Sequence, residues 1–292
     1  MPLDEIKHGR DAILAAKLLP AALLAIACAQ PPIAQPDALA GKVWDTRAAA
    51  FVPPQALFDR AADARHVILG EIHDNAEHHR LQRLVLESIA ARGRRRVLAM
   101  EQFDSQYQAE LDAARVRGAD AEGMADAGRF DRKGWNWALY KPLVQFALEF
   151  GWPLAAANLS RGDARAIVAD PSRSGLPPAD PAVESALAQD IGESHCRQTP
   201  DAKLLRGMVE AQRARDARMA ASFRRDAVLI AGAGHARRDR GVPLYVQDEV
   251  LSIAFIEVDS GRSSPRDYAQ NFDYVWFTSR AMRDDPCGSS AL

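Results

Sequence analysis

Two short segments share a form that places a histidine three residues after a glycine. They read GEIH at 70–73 and GAGH at 232–235, and each follows an apolar run typical of a buried strand. Glu101 ends a third run of this kind. Carboxylates and imidazoles together suit a divalent metal ion, or an acid–base pair for hydrolysis. The predicted catalytic residues and metal ligands are therefore Glu71, His73, Glu101 and His235.

Each of these side chains, taken alone, has an ordinary structural explanation. A Glu or His at a strand end is more often a helix cap or a loop hydrogen-bonding group than a ligand. Asp74 or Asn75 is expected to cap the helix that starts near Ala76, and His78 is expected on the solvated face of that helix. The coincidence of two Glu and two His at equivalent strand ends nevertheless favours one shared site.

A second cluster, WNWALYKP at 135–142, is rich in aromatic side chains. Two Trp, a Tyr and a Lys so close together predict the lining of a flat hydrophobic pocket. A tyrosine is an accepted ligand of haem iron, and basic side chains pair with haem propionates. The alternative is a helix start packed by aromatic rings, with Pro142 in the first turn.

The elements that position these residues follow an α/β pattern. The apolar runs are short, and most do not alternate with polar residues, which is typical of parallel strands buried on both faces. They lie at 66–70, 97–101, 153–158, 228–232 and 251–258, with a possible edge strand at 272–278. Helical patterns at 77–92, 105–117, 142–150, 163–169 and 202–224 separate them. We predict a mostly parallel central sheet flanked by helices, with a helical insertion after the Pro-rich loop at 170–181.

Composition and charge exclude several classes of protein. The chain has 292 residues, is 48% hydrophobic, and carries 37 basic against 39 acidic residues. A net charge of -2 gives no electrostatic basis for binding nucleic acid. No apolar run reaches the roughly 18 residues that a membrane span requires.

The N-terminal region has the pattern of an export signal. Ten apolar residues, LLPAALLAIA at 18–27, follow three basic residues. We predict a signal peptide over 1–29, a tether over 30–40 and one domain over 41–292, with Cys28 as a lipid-anchor site or a residue lost on cleavage. An amphipathic helix of a cytosolic protein is the alternative. In an oxidising compartment Cys196 and Cys287 are expected to form a disulfide, with free thiols or metal ligands as alternatives.

Several linked motifs resemble the ChaN-like haem-binding lipoprotein family of the Tiki superfamily. They are GEIHDNAEHHRLQ at 70–82, MEQFD at 100–104, WNWALYKPL at 135–143, AANLSR at 156–161, SHC at 194–196, MVEAQRARDARMA at 208–220, AGAGHARRDRGVP at 231–243 and DPC at 285–287. The resemblance spans about residues 40–290. It implies a ChaN-like or erythromycin-esterase-like fold and a periplasmic or outer-membrane location.

The resemblance also implies a cargo. Haem would be held by a tyrosine, with basic and His contacts to its propionates, across a homodimer served by outer-membrane uptake machinery. Tyr140 is the first choice of iron ligand and Tyr107 the second. Further haem contacts are expected from Lys141, His79, Asn158 and Arg161. Haem alone does not explain the carboxylates at the strand ends, so a metal-dependent hydrolase is the alternative function.

Overall fold

The predicted strands come together in one sheet. The computed structural model describes residues 38–195, 198, 200–259, 261–268 and 271–283, and this part of the chain holds eight paired strands. They are β1 (Val43–Asp45), β2 (Ala50–Val52), β3 (His66–Glu71), β4 (Val97–Asp104), β5 (Leu154–Asn158), β6 (Ala227–Gly232), β7 (Val250–Glu257) and β8 (Tyr274–Thr278). The predicted leader, Cys28, Cys196 and Cys287 lie outside the described residues, so the export signal and the disulfide stay predictions.

The order of the strands across the sheet is β2-β1-β8-β7-β3-β6-β4-β5. The six strands from β8 to β5 are parallel, and β1 pairs with both β2 and β8 in antiparallel fashion. The α/β class with a mostly parallel sheet is therefore confirmed. The predicted edge strand is wrong in one respect, because β8 is hydrogen-bonded on both sides. The short hairpin of β1 and β2 has a weak sequence pattern and covers that edge.

Helices lie between the strands, as the α/β pattern predicts. They are α1 (Pro54–Asp63), α2 (Ala76–Ala91), α3 (Gln108–Val116), α4 (Ala121–Ala127), α5 (Trp137–Glu149), α6 (Arg161–Ala169), α7 (Pro181–Ser194), α8 (Ala202–Ala220) and α9 (Ala233–Ala236). Two of them, α7 and α8, follow the Pro-rich loop, where the helical insertion is predicted. The helix α5 begins five residues before Pro142, so Pro142 lies inside the helix and not in its first turn. None of the described helices is long and apolar enough to cross a membrane.

Both faces of the sheet are buried. Alternate residues of β3 enter different cores: Val67 and Leu69 pack on one side with helices α1 to α5, whereas Ile68 packs on the other side with α8 and α9. All three side chains are fully buried. Burial on both faces explains why the strand sequences are continuous apolar runs. It also leaves the strand ends as the place where polar side chains can face a cleft.

Candidate functional site

The two GxxH segments are neighbours in space. Strands β3 and β6 pair in parallel, and Glu71 lies opposite Gly232 in the register. A Cβ atom at Gly70 would lie 2.8 Å from the Ala236 Cβ, and one at Gly232 would lie 2.9 Å from the His73 Cε1. Each motif therefore needs its first glycine to make room for the other motif. The structure brings the four predicted catalytic residues to one edge of the sheet.

Glu71 is the centre of the first motif. Its carboxylate is fully buried and accepts hydrogen bonds from the Tyr140 hydroxyl at 2.6 Å, the Gln82 amide at 2.6 Å and His73 Nδ1 at 3.0 Å. His79 Nδ1 lies 3.2 Å from the other face of this carboxylate. Burial alone would raise the pKa of Glu71, but His79 and His73 outweigh burial and lower the pKa. Glu71 is therefore an anion held inside the protein.

His73 is the residue of the first motif whose side chain is exposed to solvent. Its side chain is 44% exposed, and the Trp135 ring packs edge-on against the imidazole with 4.7 Å between centroids. Burial lowers the pKa of His73, but Glu71 and Glu101 outweigh this effect and raise the pKa. Of the two motif histidines, His73 is the one that a ligand can reach.

The turn that carries His73 is fixed by the start of α2. Asn75 caps this helix, as expected, by accepting a hydrogen bond from the Glu77 N–H. The prediction that His78 lies on a solvated face is wrong, since the side chain is fully buried. His78 Nδ1 accepts from the Ile72 N–H at 2.9 Å, so its Nε2 carries the proton and donates to the Thr278 hydroxyl at 2.8 Å. Burial lowers the pKa of His78 to about 4, which keeps this imidazole neutral.

His235 of the second motif is enclosed between two carboxylates. Its Nδ1 lies 2.6 Å from Asp216 Oδ1, and its Nε2 lies 3.4 Å from Glu101 Oε1. Burial lowers the pKa of His235, but Glu101 and Asp216 outweigh burial and raise it to about 10. The backbone N–H of Gly232 donates to Glu101 Oε2 at 2.8 Å. His235 and Gly232 hold the pKa of Glu101 near 2, despite the burial that would raise it.

The sequence analysis missed Asp216, which supplies the counter-charge of His235. Asp216 is 1% exposed and lies on α8, four residues after Gln212. A signal was present, because Gln212 interrupts the apolar stripe of this helix and Asp216 lies one turn further along the same face. The amide of Gln212 lies 3.2 Å from His235 Nδ1. Polar residues on the buried face of α8 thus marked the site.

Contacts join Asp216, His235 and Glu101 in one group and His73 and Glu71 in another. Glu101 also acts on His73 through its charge, without an ion pair within 4 Å, and we call these five alternating carboxylates and imidazoles the acid–base chain. Among the described residues, no group of three or more His, Cys, Asp or Glu side chains surrounds one point that a metal ion could occupy. The predicted divalent metal site is therefore not supported, because each carboxylate is directed at an imidazole. The arrangement suits the holding of protons.

A cavity of about 410 Å³ lies beside this chain, at the ends of β4 and β5. Glu101 lines it, so the cavity and the chain share this side chain, and Trp135, which packs against His73, lines it as well. Two of the predicted haem contacts also line it: Asn158 accepts from Arg215 at 2.7 Å, and Arg161 pairs with Asp131 at 2.6 Å. Its remaining lining residues are Gln102, Asp104, Arg129, Asp131 and Arg215.

The other predicted haem contacts have different surroundings. Tyr140 is fully buried, and burial together with Glu71 raises the pKa of its hydroxyl far above the usual value. His79 is buried beneath Tyr140 and donates to the backbone oxygen of His73. Lys141 is partly exposed and pairs with Glu122 at 2.9 Å. Tyr107 is half-buried, and the Arg129 guanidinium lies over its ring at 4.8 Å. Of the two predicted ligand tyrosines, Tyr107 is therefore the more exposed.

Fold and site together define an α/β protein with an acid–base chain and an open cavity at the carboxyl edge of its sheet. A sequence model of the family described as "haem-binding uptake, Tiki superfamily, ChaN" matches residues 57–246. The chain belongs to this family.

One comparison with a solved structure agrees with the fold, and two weaker ones are given beside it. The chain is similar to ChaN of Campylobacter jejuni, solved with cofacially bound haem, at a TM-score of 0.69 and 23% identity over 80% of this chain and 95% of that chain. The type III effector HopBA1 gives 0.45 at 14% identity, over 77% of this chain and 92% of that chain. A mutant erythromycin esterase gives a TM-score of 0.39 at 12% identity, over 69% of this chain and 72% of that chain. A comparison with curated protein sequences found no match.

Proposed function

We propose that this protein binds haem for haem or iron uptake, at the carboxyl edge of its sheet. Membership of the haem-binding ChaN family carries the proposal. Haem is the cargo of such a protein, so the site needs access, an aromatic surface and an iron ligand. The half-buried Trp135, the half-exposed His73 and the neighbouring cavity supply the first two. Export, a lipid anchor, a homodimer and outer-membrane uptake partners are further parts of this proposal.

We assign the iron ligand to Tyr107 in preference to Tyr140. A phenolate must leave its hydrogen bonds and reach the metal in order to ligate iron. Tyr140 donates to the buried Glu71, and its phenolate is strongly disfavoured there, so its use would require the site to open. Among the described residues the Tyr107 hydroxyl has no hydrogen-bond partner, and its ring packs against Arg129, which lines the cavity.

Titration of the purified protein with haemin, followed by visible spectroscopy, tests this proposal. We expect micromolar binding with the high-spin spectrum of a tyrosinate ligand. Tyr107→Phe should lose this spectrum, whereas Tyr140→Phe should keep it, because Tyr140 serves the buried network. If Tyr140→Phe loses the spectrum and Tyr107→Phe keeps it, the iron ligand is Tyr140 and not Tyr107. The absence of binding at micromolar haemin would contradict the haem function itself. Size-exclusion chromatography with and without haemin tests the dimer.

A second function, hydrolysis, has one specific observation in its favour. The carboxylate–imidazole chain includes the half-exposed His73, whose Nδ1 is oriented by Glu71. An imidazole that a carboxylate orients and that solvent can reach is the arrangement of a general base. His235 and Glu101 would hold the rest of the chain in place. The metal-dependent form of this function would require the carboxylates to turn away from their imidazoles.

Hydrolysis of a chromogenic ester tests this second function. We expect His73→Ala to abolish any activity above the uncatalysed rate and His195→Ala, an exposed histidine outside the site, to leave it unchanged. Calorimetric titration with Zn²⁺ tests the metal-dependent form, in which His235→Ala should abolish stoichiometric binding. If the ester is cleaved equally by the wild type and His73→Ala, the general-base assignment is wrong.

A further inference from the structure

Three arginines from distant parts of the chain converge on the cavity beside the acid–base chain. Arg129 lies in the segment between α4 and α5, Arg161 begins α6, and Arg215 lies on α8. A planar guanidinium matches the oxygens of a carboxylate or a phosphate, and a concave surface concentrates the field of several such groups. The cavity therefore has groups that can bind an anion, beside three carboxylates, Glu101, Asp104 and Asp131.

Two of these three guanidinium groups have no carboxylate partner among the described residues. Arg215 donates to neutral oxygens, Asn158 Oδ1 at 2.7 Å and the Leu159 backbone oxygen at 3.2 Å. Arg129 lies over the Tyr107 ring. Comparable arginines elsewhere are paired, such as Arg213 with Glu210. The positive charge of Arg129 and Arg215 is thus available to a ligand.

The backbone at Arg129 indicates that this side chain has a role. Helix α4 ends in a Schellman motif, in which the Phe130 N–H bonds to the Ala125 oxygen at 2.8 Å and the Arg129 N–H to the Asp126 oxygen at 3.1 Å. Arg129 occupies the left-handed position of this motif, with φ of +49°, where glycine is the usual residue. A strained arginine in place of glycine is the pattern of a functional side chain.

The carboxylates that line the cavity do not pair with Arg129 or Arg215, so both arginines can bind an incoming anion. Glu101 is engaged by His235 and Gly232, and Asp131 by Arg161. Asp104 has no cation within 4 Å among the described residues, and burial raises the pKa of its carboxyl. An anion bound between Arg129 and Arg215 would therefore meet one carboxyl that takes up a proton more readily than usual.

We propose that this cavity binds a small molecule that carries a carboxylate or phosphate group, held chiefly by Arg129 and Arg215. Haem propionates and free small anions share this chemistry. The site lies next to Glu101 of the acid–base chain, so the rest of a bound molecule would face Trp135 and His73.

Calorimetric titration with inorganic phosphate and with malonate tests the proposal. Arg129→Gly and Arg215→Gln should each weaken binding by about tenfold or more, the effect of losing one charge-assisted hydrogen bond. Arg129→Gly has a built-in fold control, since glycine suits a left-handed residue and the unfolding temperature should stay equal or rise. The matched control is Arg132→Gln, an exposed arginine of the same segment that pairs with Glu122 and does not line the cavity. It should bind like the wild type.

Haemin and its dimethyl ester distinguish the two sources of the anion. If Arg215→Gln weakens haemin binding but not binding of the ester, the cavity holds a propionate. If the variant changes neither, while phosphate or malonate binding is lost, the ligand is a separate small molecule. The proposal is overturned if the wild type binds neither anion and Arg215→Gln leaves haemin affinity unchanged. It is also overturned if Arg132→Gln weakens binding as much as Arg129→Gly.

Discussion

The two GxxH segments have the same form and similar positions, yet they differ in where their counter-charge comes from. In the first, Glu71 lies two residues before His73 and is part of the motif itself. In the second, the counter-charge is Asp216 of α8, nineteen residues before His235. The first histidine is 44% exposed, and the second is 9% exposed. The same short motif therefore makes an open histidine after β3 and a locked one after β6.

This difference separates two roles within one site. A buried imidazolium between two carboxylates is costly to disturb, so His235 is suited to holding Glu101 in its ionised form. An imidazole with one face to solvent can exchange protons and contact ligands, so His73 is suited to the chemistry. Their supports differ too: the neutral His78 fixes the turn before α2, whereas the charged Asp216–His235 pair fixes α9 against α8.

The largest expected effect comes from removing the remote counter-charge. Asp216→Ala leaves His235 and Glu101 buried with one partner missing, and we expect the free energy of unfolding to fall by about 3–5 kcal/mol. His73→Ala removes a half-exposed side chain and should cost less than about 1 kcal/mol. Urea denaturation of the two variants measures the contrast. Equal losses would mean that the two motifs are equally locked.

Changes of pH should weaken the supports of the two motifs in opposite directions. The folded pKa of His78 is about 4 against 6.5 in the unfolded chain, so the unfolded state binds more protons between these values. Stability should therefore fall as pH drops from 6.5 to about 4, by up to about 3 kcal/mol. The folded pKa of His235 is raised to about 10, so its contribution is complete below pH 6.5 and is lost as pH rises toward 10.

Urea midpoints across this pH range measure both effects. His78→Gln should flatten the acid side of the stability profile and leave the alkaline side unchanged. If the acid side keeps its slope in this variant, carboxylates and not His78 govern the loss of stability.

The smallest expected effects come from substituting Gly70 and Gly232, the two glycines that allow the motifs to pack against each other. At Gly70 an added Cβ meets Ala236 Cβ at 2.8 Å and the backbone of Ala233 at 3.0 Å, so Gly70→Ala should cost about 1–3 kcal/mol. At Gly232 the obstacle is the His73 ring, which is half-exposed and can turn away. Gly232→Ala should therefore cost less than about 1 kcal/mol.

A spectroscopic measurement completes this comparison. In the wild type, the contact with Glu71 raises the pKa of His73. In Gly232→Ala the displaced His73 ring loses this contact, so the NMR titration of His73 should move to lower pH. An unchanged titration of His73 would show that the two motifs do not interlock through Gly232.

Much of the architecture was predictable because it depends on local patterns. The strands β3, β4, β5, β6 and β7 follow from short apolar runs, and most of the helices from their periodicity or capping residues. The convergence of Glu71, His73, Glu101 and His235 followed from one rule, that the carboxyl ends of parallel strands meet at one edge. Position along the chain was enough for these inferences.

The partners of these residues were decided only by the tertiary structure. Asp216 pairs with His235, Tyr140 donates a hydrogen bond to Glu71, and Arg129 and Arg215 line one cavity, because strand order and helix crossovers bring distant segments together. Burial also decided the charge states, since a neutral His78 and a charged His235 differ only in what surrounds them. The sequence by itself determined which residues reach the edge of the sheet. The three-dimensional packing alone determined which of them are locked and which remain open to a ligand, because desolvation and pairing depend on neighbours that sequence distance does not reveal.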